Sequence, residues 1–139
     1  MEENFYWIWL SKLKNLGYNR LELLLKHFGN IRNIWNATYE ELLKLEKIDV
    51  SLAKEIVNSK LRENINNIVT YMKMNNVQLL NIYDKKYPQK LKSIYSPPIC
   101  LYIQGNIKLL YTDMIAIIGC RQCSIYGIRS ATKLSYSLA

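Results

Sequence analysis

The stretch "AIIGCRQCSIYG", residues 116–127, decides how this chain is read. An apolar run ends at Gly119, a short polar turn follows, and "SIYGIRSATKLSYSLA" from Ser124 onward has the composition of a helix. A buried strand that leads through a turn into a helix is where α/β proteins often hold a phosphate. The start of a helix carries free N–H groups and a partial positive charge. Gly119 lets the chain turn sharply after the strand, and Gly127 allows close approach to the backbone. Arg121 contributes a fork of donors that suits phosphate oxygens, and Ser124 adds a hydroxyl. The spacing is neither G-x-G-x-x-G nor Gly-Lys-Ser/Thr, so dinucleotide or Walker-type binding is not supported. An ordinary strand–helix corner with an exposed arginine fits the same residues.

Working outward, "MIAIIG", residues 114–119, is too apolar to have a wet face and predicts a strand in a sheet covered on both sides. Upstream, "PPICLYIQG" predicts a proline-bounded strand ending at Gly105, and "VQLL" predicts another. Between them, "DKKYPQKLKSI" reads as a turn into a short helix with Pro88 near its start, where a missing N–H costs nothing. Leu61, Ile65, Ile68, Val69 and Met72 space as one face of an amphipathic helix. Residues 5–60 read as short helices, with Phe5, Ile8, Trp9 and Leu13 on one face and Leu21, Leu24, Leu25 and Phe28 on another. Leu42, Leu43 and Leu45 mark a further short helix. Asn19 with Glu22 and Thr38 with Glu41 predict capping boxes, Ser51 a cap, and Gly29 a helix stop. Trp7, Trp9 and Trp35 are expected in the core, and His27 on the surface.

The fold expected is therefore α+β by segment. Residues 1–60 form a small helical bundle of the sterile-alpha-motif or helix-hairpin-helix kind, 61–76 a linking helix, and 77–139 the first strands and helix of an α/β domain. The pattern "LKNLGYNRLELLLKHFGN" suggests a hairpin, but Gly17 stands alone and the echo "LEKIDVSLAKEI" has no glycine. A structural or protein-binding bundle thus fits better than one that grips DNA.

The net charge of +8 is unevenly spread: residues 1–60 hold nine basic and eight acidic residues, and 61–139 ten and three. Such asymmetry marks the second half as the polyanion-binding part. There "YDKKYPQKLKSIY" interleaves Lys85, Lys86, Lys90 and Lys92 with Tyr83, Tyr87 and Tyr95. Aromatic faces can stack bases while lysines follow a backbone, although a solvated loop with core tyrosines has the same pattern. Only Glu63, Asp84 and Asp113 are acidic in that half, and no nucleophile–base–acid set appears, so no catalytic residue is assigned. Cys120 and Cys123 form C-x-x-C, but zinc needs two more ligands, and only Cys100 and His27 remain, far off in sequence. A redox thiol beside Arg121 is conceivable; chance spacing explains the pair better. No metal or cofactor is expected. No apolar run reaches membrane-spanning length and the start lacks signal-peptide character, so the expected location is cytoplasmic. Plentiful Asn, Ile, Lys and Tyr suggest AT-rich codons and a bacterial source.

Together, Tyr87-Pro88, Leu91, Pro97-Pro98, Leu101-Tyr102 and Gly105, then Gly119, Arg121, Ser124, Tyr126 and Gly127, resemble the DNA-processing protein A, or Smf, family from about Asp84 to Ala139. The helical region before it is similar to the family's variable sterile-alpha-motif-like domain. The resemblance implies a Rossmann-like domain that binds single-stranded DNA, protects it during natural transformation and helps load the recombinase RecA, without catalysis. The family's Gly-Ser/Thr-Arg turn contacts DNA phosphate, which places that role on Gly119, Cys120 and Arg121, with Ser124 and Gly127 continuing the loop. Cys120 replaces the hydroxyl residue; its N–H can still donate, but a side-chain bond is lost. Lys85, Lys86, Lys90 and Lys92 are auxiliary candidates. The resemblance also implies a domain cut off early, without the family's RecA and homodimer surfaces, and a DNA-binding role that is partial or impaired. Two alternatives stay open: a Rossmann-type enzyme fragment for a nucleotide or phosphate ligand, and a helical interaction module with an inert C-terminal remnant.

Overall fold

The computed structural model describes residues 2–60 and 62–138; Leu61, at the head of the expected linking helix, lies outside them. In chain order the elements are α1 (Glu2–Ser11), α2 (Tyr18–Phe28), α3 (Ile31–Asn36), α4 (Tyr39–Leu43), α5 (Val50–Asn58), α6 (Arg62–Met74), β1 (Val77–Asn81), α7 (Gln89–Lys92), β2 (Cys100–Gln104), a 3-10 turn (Ile107–Tyr111) and α8 (Ile125–Leu138). The architecture is α+β: helices with a two-stranded antiparallel sheet in which Val77 pairs with Gln104 and Asn81 with Cys100.

Local chemistry sets the helix ends. Gly29 at φ 80° closes α2 by donating its N–H to the Leu25 carbonyl, a conformation that L-residues resist. Thr38 and Glu41 form the expected capping box on α4, each side chain accepting from the other's backbone N–H. Two expected caps are displaced. Helix α2 starts at Tyr18 with Gly17 at its cap and no side-chain cap bond, so Asn19 is already helical. Helix α5 is capped by Asp49, whose Oδ1 accepts from Leu52 N at 2.8 Å, rather than by Ser51. A carboxylate at the cap also suits the positive end of the helix dipole. The backbone N–H of Thr38 holds the Glu41 carboxyl below its usual range, and that of Leu52 does the same for Asp49. Both contributions are present above the ordinary carboxylate pKa and fade as pH falls through the lowered values.

One apolar cluster runs from Trp7 to Ile99. Trp9, Leu21, Leu24, Ile34, Leu42, Leu52 and Ile56 are fully buried within it. The Trp9 ring meets Trp35 edge-on at 4.8 Å, and its indole N–H donates to Ser59 Oγ at 2.8 Å. All three tryptophans are buried and His27 is exposed, as their spacing predicts. The antiparallel pair packs on α1 and α6, adding Leu80, Ile82, Tyr87 and Ile99 to the same core. Ser11 Oγ bonds Tyr102 Oη at 2.9 Å, and Cys100 Sγ–H donates to the Trp7 carbonyl at 3.5 Å. Burial, helped by the charge of Asp84, pushes the Cys100 thiol up to about 12, so it is an inert packing residue.

The apolar run 114–119 departs from its sequence reading. It forms no strand, and each of its residues is exposed. An apolar run becomes a strand only when another strand completes its hydrogen-bond ladder. The pair β1–β2 is the whole sheet among the described residues, and neither strand pairs with this run. Helix α8 likewise contributes no buried residue. Amide hydrogen exchange should therefore be fast over residues 114–119 and α8, and slow in α2 and α5. Strong, uniform protection of the "MIAIIG" amides in a monomer would contradict this.

Candidate nucleic-acid interface

The sequence of α8 determines its own start. Ser124 Oγ accepts from Gly127 N at 3.1 Å, and the Ser124 carbonyl takes the first helical bond, from Ile128 N at 3.0 Å. Ser124 is thus the N-cap. Among the described residues, the N–H groups of Ile125 and Tyr126 take no partner. They point along the helix axis toward the turn, as the first amides of any helix do. Gly119, Cys120, Arg121 and Ser124 are all exposed. The turn therefore offers free amides, a guanidinium without a described partner and a fixed hydroxyl. Gly119 has no positive φ, and a Cβ there would meet nothing within 4 Å. A Cβ on Gly127 would reach Ser124 Oγ at 3.5 Å, an ordinary contact. Neither glycine is required by the fold itself, so a need for glycine would have to come from a ligand that approaches the backbone.

The four lysines lie elsewhere on the surface. Lys85 and Lys90 line a cleft of about 680 Å³ bounded by α7, β2 and the 3-10 turn. Lys86 offers its carbonyl to the hydroxyl of Tyr111. Lys92 stands 5.7 Å above the Tyr83 ring, which itself lies 5.9 Å from Trp7. Lys90 reaches Asp113 at 3.7 Å, a fully exposed pair of little energetic weight. Among the bonds of the described residues, none joins Gly119, Cys120 or Arg121 to the lysines. Two groups of candidates result: the α8 corner and the α7 cleft.

Residues 78–139 match the family model described as DNA recombination-mediator protein A. The match supports membership of that family over these residues. The match takes in β1, β2, the 3-10 turn, the corner and α8, together with all nine candidate residues named from sequence. Protein Smf of Synechocystis is 28% identical over 140 aligned residues, covering 98% of this chain and 35% of that protein. DNA processing protein DprA of Streptococcus pneumoniae is 38% identical over 58 residues, 42% of this chain and 21% of that protein. UvrABC system protein C of Clostridium acetobutylicum is 50% identical over 48 residues, 34% of this chain and 8% of that protein. The chain thus spans about a third or less of the length of these relatives. No solved structure is significantly similar to it.

Two features of the surface escaped the reading of the sequence. Tyr102 and Tyr111 come to the lysine cleft from 17 and more positions beyond Lys85, and only the fold reveals that. Arg129 and Lys133 on α8 are exposed and four residues apart, hence on one face of the helix that starts at the turn. Their spacing was visible in the sequence. Among the described residues no three His, Cys, Asp or Glu gather as a metal site, and no helix is long and apolar enough to cross a membrane.

Proposed function

We propose that the chain is a non-catalytic single-stranded DNA-binding protein of the DNA-processing type, acting in the cytoplasm. Gly119, Cys120, Arg121, Ser124 and Gly127 hold phosphate, and Lys85, Lys86, Lys90 and Lys92 extend the contact. The observation that carries this reading is the exposed corner at the start of α8, with its free Ile125 and Tyr126 amides and unpaired Arg121, inside the segment that matches a recombination-mediator family. Amides at a helix start bind phosphate without regard to base sequence, which is what a protein that handles arbitrary incoming strands requires. The name of the Streptococcus pneumoniae relative, a DNA processing protein, supports the coarser part of that role.

On this reading, residues 114–119 and α8 belong to a Rossmann-like domain spanning 77–139, with 61–76 as its linking helix. Residues 1–60 are then a sterile-alpha-motif-like bundle. The physiological task is to hold strands for natural transformation and recombination; RecA and a homodimer are partners expected of the full-length family. The excess of basic over acidic residues in 61–139 supports polyanion binding over an inert remnant.

A gel-shift titration with single- and double-stranded oligonucleotides at two salt concentrations tests the proposal. Binding should favour the single strand, tolerate any sequence and weaken steeply with salt. Equal affinity for duplex, or binding insensitive to salt, would overturn it.

A further inference from the structure

We propose that the cleft between α7, β2 and the 3-10 turn stacks the unpaired bases of a nucleic-acid strand, with Lys85 and Lys90 neutralising its phosphates. This rests on the single-stranded DNA reading and adds a place for the bases, which the phosphate corner alone does not supply.

The cleft has three tyrosines, and the hydroxyl of each is tied to the protein. Tyr87 donates to the Pro98 carbonyl at 2.8 Å, Tyr111 to the Lys86 carbonyl, and Tyr102 pairs with Ser11 at 2.9 Å. Each ring is thereby held at both ends. Tyr102 and Tyr111 nevertheless remain 46% and 55% exposed, so they present fixed ring surface to solvent. Pinned, exposed aromatic rings are what base stacking needs, because the ordering cost is met in the fold and every base has a π-face. The rest of the lining is mostly apolar, Met114 included, and among the described residues it contains no acidic one. The volume of about 680 Å³ lies within the range of small-molecule sites.

Charge selects the occupant. Lys85 and Lys90 are exposed, and among the described residues the sole acidic partner of either is Asp113, at 3.7 Å from Lys90 in full solvent. A phosphate displaces so weak a pair readily. An apolar peptide segment would fill the groove but leave both ammonium groups unmatched. A strand satisfies both features at once, with bases on the rings and phosphates on the lysines.

The test compares binding of oligothymidylate with that of an abasic deoxyribose-phosphate oligomer of equal length, using fluorescence anisotropy on the full chain. Wild type should prefer the oligomer that carries bases. Tyr111→Ala should lower its affinity for oligothymidylate on the order of tenfold and leave the abasic oligomer nearly unaffected. Tyr111→Phe, which keeps the ring, should retain the preference. Photocrosslinking of wild type to 5-iodouracil-substituted oligonucleotide requires no variant and should label peptides that contain Tyr102 or Tyr111. Equal binding of the two oligomers by wild type, an equal loss for both on Tyr111→Ala, or crosslinks confined elsewhere would overturn the stacking site while leaving the phosphate corner standing. Failure of wild type to bind either oligomer would overturn the single-stranded DNA reading and this site with it.

Discussion

Replacing Trp9 with alanine should cost about 3–5 kcal/mol of folding stability, the usual range for truncating a buried large aromatic. Trp9 is 1% exposed, packs edge-on against Trp35 at 4.8 Å and satisfies its indole N–H on Ser59. Removing it opens a cavity at the meeting point of α1, α3 and the end of α5. Small domains have only about 5–15 kcal/mol in total, so the loss is a large share. Urea denaturation followed by far-UV circular dichroism would measure it. Tyr126→Ala supplies the contrast: Tyr126 is 80% exposed on α8, and the change should stay within about 0.5 kcal/mol. Comparable losses for the two variants would mean that α8 shares the core and that the division between packed and unpacked segments is wrong.

Arg121→Ala should weaken binding of a single-stranded oligonucleotide roughly tenfold, since hydrogen bonds to charged groups contribute about 1.5–3 kcal/mol when well formed and Arg121 is exposed. The loss should be uniform across base sequences, and the slope of log affinity against log salt should shrink by about one. That signature separates a phosphate contact from a folding defect, which would lower the active fraction without changing the slope. Because Arg121 lies outside the core, the thermal midpoint should not move. Unchanged affinity would remove Arg121 from the site.

Much of the helical half was legible because local rules govern it. The spacing of Leu21 and Leu24 forecast the buried face of α2, and the left-handed turn at Gly29 and the Thr38–Glu41 box ended and began helices where expected. Pro88 before α7, both strands of the sheet and α8 were also placed correctly. The displaced caps show the limit of such reasoning. Several polar residues near a helix start can each serve, and packing chooses among them: Asp49 wins over Ser51 while its other oxygen holds Arg20 at 2.9 Å. The run 114–119 failed for a different reason. Hydrophobicity says that a segment would gain from burial, and it cannot say whether the partner strand is there.

The candidate site divides the same way. The turn, the hydroxyl cap and the arginine lie within a few residues of one another, so the sequence displays them together. The tyrosine-lined cleft assembles from α7, β2 and the 3-10 turn, and Ser11 of α1 holds one of its rings through Tyr102. Contacts across such separations leave no local pattern.

The most direct test of the phosphate corner is an amide-resolved NMR titration of the chain with a single-stranded oligonucleotide. The Gly119, Cys120, Arg121, Ile125 and Tyr126 amides should shift first and saturate together, because these are the donors that meet phosphate at the start of α8. If those amides hold still while others move with the bound strand, the corner is an ordinary turn and the account fails at its centre.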